Sequence, residues 1–97
     1  MTHYHTSDGE TLTQGQVDLR TRKAKAQLIQ NQFEDHGYNF CESCGKSSGV
    51  RLDCSHDISV KKAKDDGKTE LCYKVENMTI LCRSCHEIKD GLNHQWN

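Results

Sequence analysis

Cys41-Glu42-Ser43-Cys44-Gly45 and Asn77-Met78-Thr79-Ile80-Leu81-Cys82-Arg83-Ser84-Cys85-His86 decide how this chain folds. Each stretch contains a C-x-x-C pair, and the two-residue spacer lets both sulfurs of a pair turn toward one ion at about 2.3 Å. Two such pairs in one short chain are a strong signal for a structural zinc. Four thiolates, from Cys41, Cys44, Cys82 and Cys85, close the tetrahedron and leave no position for water. This zinc is therefore a staple, and any chemistry belongs to other residues. The candidates are His56 and Asp57, within Leu52-Asp53-Cys54-Ser55-His56-Asp57-Ile58, together with Asn77 and His86.

Composition makes the staple necessary. The chain has 97 residues, of which 33% are hydrophobic and 6% aromatic. That supports one domain at most, with a core thin for its length. Disulfides are the other staple that six cysteines allow. Met1-Thr2-His3-Tyr4-His5-Thr6-Ser7-Asp8 lacks the basic-then-apolar form of an export signal, so reduced thiols in the cytoplasm are expected. No apolar run is long enough to span a membrane. A formal net charge of -1 argues against a non-specific DNA coat. It leaves room for a nucleic-acid site, because binding follows local patches of charge and not the total.

Working outward, residues 1 to 12 read as a polar, frayed tail. Thr13 and Gln16 fit a capping box that opens a helix over residues 14 to 36, and Gly37 would end it with a left-handed cap. Val17, Thr21, Ala24 and Leu28 lie on one stripe, which Ile29 and Phe33 extend. Arg20, Arg22, Lys23 and Lys25 make the first half of this helix basic. Two readings compete there, contact with phosphates and a solvated face, and Asp18, Glu34 and Asp35 favour the second. Val50 to Ser55 reads as a strand, residues 61 to 70 as a polar loop with room for a short helical turn, and Met78 to Leu81 as a second strand. Arg83 to Asp90 reads as a helix stopped by Gly91, with Leu92 packing back. Cys54 and Cys72 read as small buried hydrophobes. Trp96 either packs on the core or lies exposed.

The order of these features resembles the HNH endonuclease family in its zinc-stapled form. The family pattern is C-x-x-C, a strand ending in histidine, a loop, Asn before an apolar strand, C-x-x-C-H, and Lys. Here it runs through Cys41 and Cys44, His56, Asn77, Cys82, Cys85, His86 and Lys89, over residues 38 to 92. The resemblance implies an α+β fold: a small zinc-stapled ββα-metal, treble-clef-like domain over residues 38–97, preceded by the tail and N-terminal helix of residues 1–37. The chain departs from the pattern at one place. The family has Asp-His or His-His followed by two apolar residues and Pro, whereas this chain has Ser55-His56-Asp57-Ile58-Ser59 and no proline. Ser55 stands where the family has a metal ligand, so Asp57 or Asp53 would have to supply that carboxylate.

The implied activity is metal-dependent DNA endonuclease chemistry, the hydrolysis of phosphodiester bonds. His56 would be the general base, with His86 and Asp57 holding a catalytic Mg2+, Mn2+, Ni2+ or Zn2+ ion. Asn77 would brace the loop that aims His56. A second assignment puts His56 on the metal and makes Asp57 the base. The first is preferred because an imidazole titrates near working pH. Beside DNA, a larger DNA-processing protein is an expected partner, since so small a chain with little basic surface needs help to find its substrate. The rival reading is a non-catalytic zinc module that binds DNA or protein, because such knuckles often serve only as scaffolds.

Overall fold

The chain opens with a hairpin instead of a frayed tail. In the computed structural model, which describes residues 3–93, β1 (His3–His5) pairs antiparallel with β2 (Thr11–Thr13), His3 lying opposite Thr13. Gly9, at φ 92°, supplies the left-handed residue of the turn, and the Thr6 N–H donates to the Glu10 carbonyl at 2.9 Å. The polar composition concealed the hairpin because a strand needs only alternate residues buried. Leu12 is 1% exposed, and Tyr4 packs in the same cluster.

β2 runs straight into α1 (Gln14–His36). The expected capping box is formed: the Gln16 N–H donates to Thr13 Oγ1 at 3.3 Å, and Gln16 Oε1 accepts from the Thr13 N–H at 2.9 Å. Gly37, at φ 81°, ends the helix, its N–H donating to the Phe33 carbonyl at 2.7 Å. The buried stripe is narrower than expected. Val17, Ala24 and Gln32 are buried, while Ile29 and Phe33 are 39% and 52% exposed and take no part in it.

β3 (Leu52–His56) and β4 (Met78–Cys82) form the second two-stranded antiparallel sheet. Leu52 lies opposite Cys82 and His56 opposite Met78. Between them the expected loop is largely ordered. Ser59 caps α2 (Val60–Asp65), which buries Ala63 completely. Two 3-10 turns follow, Thr69–Tyr73 and Val75–Asn77. The run Lys61-Lys62-Ala63-Lys64-Asp65-Asp66 makes i,i+4 pairs, Lys61–Asp65 at 2.8 Å and Lys62–Asp66 at 2.9 Å. These support the short helical turn for which the polar loop left room. α3 (Arg83–Asn93) runs through Gly91 and does not stop there. A helical glycine costs about 1 kcal/mol relative to Ala but ends a helix only when it turns left-handed; Gly91 is not among the glycines with positive φ. The side chain of Leu92, and Trp96 as a whole, lie outside the described residues.

The result is an α+β fold of two small antiparallel sheets and three helices among the described residues. Its apolar interior has two centres. Leu12 and Val17, from β2 and α1, pack with Ala63 and Cys72, so the boundary drawn at 37/38 does not divide the core. The second centre is Cys41, Leu81 and Cys82, with Val50, Leu52 and Cys85 against it. No helix among the described residues is long and apolar enough to cross a membrane.

Candidate functional site

The β3–β4 ribbon holds a metal-ligand cluster at one end and the histidine strand end at the other. At the first end, Cys41 and Cys44 lie on a tight turn before β3, Cys82 ends β4, and Cys85 sits in the first turn of α3. Gly45, at φ 82°, lets its N–H return to the Cys41 carbonyl at 2.9 Å, and the Cys44 N–H points at the Cys41 sulfur at 3.4 Å. Glu42 ties this turn to β4: its N–H donates to the Ile80 carbonyl at 2.8 Å, and its carboxylate accepts from the Ile80 N–H at 2.6 Å.

The four Sγ atoms all lie within 4.8 Å of one another, and Cys44 Sγ is 3.7 Å from Cys82 Sγ. A tetrahedron with bonds of about 2.3 Å has edges of about 3.8 Å, so the group fits a zinc ion or a similar metal. The thiols' acidities reflect the crowding of four sulfurs. Burial pushes the Cys41 thiol up, but the N–H groups of Cys44, Cys82 and Ser43 outweigh it and bring it to about 6. Cys85 is pushed up to about 12, chiefly by Cys82 beside it and then by burial. A divalent cation removes that conflict by stabilising all the thiolates together.

At the other end, alternation along β3 sends neighbouring side chains to opposite faces. Cys54 and His56 face one way: the Cys54 thiol lies 3.8 Å from the Lys25 carbonyl of α1, and His56 Nε2 lies 2.8 Å from the Cys72 carbonyl. A carbonyl can only accept, so Nε2 carries the proton and Nδ1 keeps the lone pair. Nδ1 has no partner among the described residues, yet it is not sealed off. Among those residues the buried side-chain polar atom lacking a partner is Thr69 Oγ1. Burial holds the His56 pKa below its ordinary value, and the charges of Lys25 and Lys89 act in the same direction. His56 is thus a neutral imidazole with one nitrogen fixed and the other free.

Asn77 braces the chain just beyond His56. Its side chain accepts from the Ile58 N–H at 2.9 Å and donates to the Ile58 and Leu71 carbonyls at 3.0 and 2.9 Å. Its own carbonyl accepts from the Asp57 N–H at 2.8 Å. The side chain is buried and uses both amide hydrogens, an arrangement that holds one loop conformation.

The opposite face of β3 meets α3. Asp53 Oδ2 lies 3.0 Å from His86 Nδ1, and Asp90 Oδ2 lies 3.4 Å from His86 Nε2. Burial raises Asp53, but its hydrogen bond with His86 and the charges of Arg51 and Arg83 prevail and hold its carboxyl below the usual range. Lys89 Nζ donates to Ser55 Oγ at 2.9 Å, the His56 carbonyl at 3.2 Å and Asp57 Oδ1 at 2.9 Å.

The expected sharing of one ion by His86 and Asp57 is therefore not what these contacts provide. Asp57 is held by Lys89 and Thr79, and the carboxylate beside His86 is that of Asp53. Nor does His86 face His56, because Asp53 and His56 differ by an odd number along the strand and point to opposite faces. Among the described residues, the group of three or more ligating side chains that converges is the cysteine group. Sequence reasoning named Asp53 as a carboxylate source but missed three contacts: Asp53 with His86, Lys89 with Ser55, and the Cys72 carbonyl with His56. The period-two alternation of β3 could have indicated the first two. The third depends on a 3-10 turn that has no comparable signature. Comparison with known proteins gives no matching family model and no significant match among curated proteins or solved structures.

Proposed function

We propose that this chain is a metal-dependent DNA endonuclease of HNH type, a treble-clef-like zinc-stapled domain in which His56 is the general base. The observation that carries the reading is the state of His56: half-buried, neutral, with Nε2–H donated to the Cys72 carbonyl and Nδ1 free. A base needs a vacant lone pair, a fixed ring and a pKa that leaves it unprotonated at working pH. In the proposed reaction Nδ1 takes a proton from water, the water oxygen bonds to phosphorus, and the bond to the 3′ oxygen breaks, that oxygen leaving with the electron pair and taking a proton from solvent water. Lys25 and Lys89, whose charges already reach His56, attract the phosphate. Asn77 keeps the loop from drifting, which matters because a misplacement of about 1 Å costs on the order of 100-fold in rate. His86 and Asp53 are the side chains that would hold a divalent ion; they lie on the opposite face of β3 from the His56 ring, so an ion there would form a separate site and not one shared with the base.

The second reading, a non-catalytic zinc module that binds DNA or protein, has its own support. His86 and Asp57 are each engaged by other residues, and Lys89 already satisfies the end of β3. Plasmid cleavage with Mg2+, Mn2+ and Ni2+, comparing intact protein with His56→Ala, decides between the two. Cleavage that is lost in the variant while zinc content is kept supports the enzyme. Absence of cleavage by the intact protein with every metal supports the module.

A further inference from the structure

The β3–β4 ladder ends with Leu52 opposite Cys82. One step further Arg51 and Arg83 stand opposite each other, the Arg83 N–H donating to the Arg51 carbonyl at 2.9 Å. Like charges set across a ladder destabilise it. Asp53 offsets this pair only in part. Its carboxylate accepts from Arg51 Nε at 3.0 Å, but Arg83 Nη1 lies 3.8 Å away, too far for a hydrogen bond. Glu87, 4.0 Å from Arg83 Nε, is on the surface, where an ion pair adds little. Lys46 is a third cation and makes no ion pair among the described residues. Lys46, Arg51 and Arg83 line one concavity of about 230 Å³ together with Ser84, and no acidic side chain lines it.

We propose that this concavity holds a backbone phosphate of a DNA strand, at a distance from the phosphate that reacts. The proposal rests on the DNA substrate proposed above and names where that substrate is gripped. Charge and donor geometry select the occupant. Arg51 uses Nε on Asp53, which fixes the guanidinium and leaves both Nη groups as donors. The Arg83 guanidinium has no carboxylate within hydrogen-bond distance among the described residues. Three cations with unused N–H donors around one hollow match an anion with several acceptor oxygens, and a guanidinium fork fits phosphate bidentately. The step from Arg51 to His56 along the chain spans about 17 Å of extended backbone. The grip is therefore on a phosphate further along the strand than the one His56 faces, and it sets the register of the DNA without reading its bases.

The test is fluorescence anisotropy of a labelled DNA duplex with the full, zinc-loaded chain over a salt series, without added divalent ions so that the DNA stays intact. Arg51→Gln with Arg83→Gln should weaken binding at least about 10-fold, the loss of charged hydrogen bonds. It should also lower the slope of log affinity against log salt by about 1, one phosphate's share. Zinc content and circular dichroism should hold. Lys46→Glu, at an exposed side chain whose removal leaves no carboxylate unpaired, should shift affinity and slope in the same direction. Inorganic phosphate, titrated by calorimetry, should bind the intact chain far more weakly than the duplex does. Duplex affinity and salt slope unchanged in both variants would overturn the proposal. So would variants that lose zinc and keep their DNA affinity, which would show that the cations only offset the thiolates. Phosphate binding lost in variants whose duplex affinity is unchanged would give the site to free phosphate. Plasmid cleavage by the same preparations separates this result from the activity. An intact chain that binds through these residues and cuts with no metal discards the nuclease and keeps the site. Cutting that depends on His56, with duplex binding unchanged in both variants, keeps the nuclease and discards the site.

Discussion

The two ends of the β3–β4 ribbon use their side chains in opposite ways. At the Leu52–Cys82 end, four identical ligands converge until every sulfur lies within 4.8 Å of the others. At the His56–Met78 end, three different residues diverge: His56 to Cys72, Asn77 to Ile58 and Leu71, and Asp57 to Lys89. Convergence is costly for a protein without an ion, because the thiols crowd one another. A cation held there would stabilise the group, and with it the fold. Divergence satisfies each residue separately, and what remains unpaired there among the described residues is Nδ1 of His56.

Breaking the convergent end should have the largest effect. A structural zinc contributes roughly 10–16 kcal/mol in small domains, as much as or more than the roughly 5–15 kcal/mol net stability of a typical domain. Cys41→Ser or Cys85→Ser should abolish stoichiometric zinc and cooperative melting together, and a strong chelator should do the same to the intact chain. Elemental analysis with circular dichroism checks this. A metal-free protein that melts cooperatively at the same temperature would show that the cluster is not a staple.

At the divergent end the expected loss is in rate and not in fold. His56→Ala should lower plasmid cleavage at least ~100-fold, the low end of general-base contributions, with zinc and melting temperature little changed. The pH profile follows from the direction of the shift. Burial disfavours the imidazolium, so more than half of His56 is neutral at pH 6.5, its ordinary pKa. Cleavage should fall to half its plateau only below that pH. A rate already at half its plateau above pH 6.5, or equal cleavage by the variant, would remove His56 from the role.

Asn77→Ala tests whether the divergent contacts are also structural. It removes three side-chain hydrogen bonds from a buried position and leaves the Ile58 and Leu71 backbone groups unpaired. A cost of about 1–3 kcal/mol is expected, read as a lower urea midpoint with unchanged zinc. Unchanged stability would mean that the loop after β3 is held by other contacts.

The ease of reading each end from sequence follows from the same contrast. The cysteine pairs were legible because their spacing encodes a local turn, and α1 was legible to the residue because Thr13, Gln16 and Gly37 encode its ends. The hairpin was hidden because its contribution to the core is Leu12 and Tyr4 within a polar segment. The outward position of Ile29 and Phe33 could not be read from periodicity, which groups residues without saying which group faces in. The pairing of Asp53 with His86 depends on strand parity and on where α3 lies, and the second of these is a tertiary fact.

The finest test of the comparison separates two carboxylates on one strand face. Asp53 and Asp57 both point toward α3, but Asp53 has 12% side-chain exposure beside His86, whereas Asp57 has 48% beside Lys89. An ion displacing the Asp53–His86 hydrogen bond would find a carboxylate already held ionised and an imidazole already aimed at it. An ion seeking Asp57 would have to dislodge the Lys89 ammonium first. In calorimetric titrations of zinc-loaded protein with Mn2+ or Ni2+, Asp53→Asn and His86→Ala should therefore each abolish a second site, since each removes one of its two protein ligands. Asp57→Asn should leave the affinity near that of the intact chain and cost at most about 1 kcal/mol of stability, as expected for an exposed ion pair. Equal weakening by both Asp variants would restore Asp57 as a ligand and show that Lys89 yields to the ion. No second site in the intact protein would mean that His86 serves only to join α3 to β3.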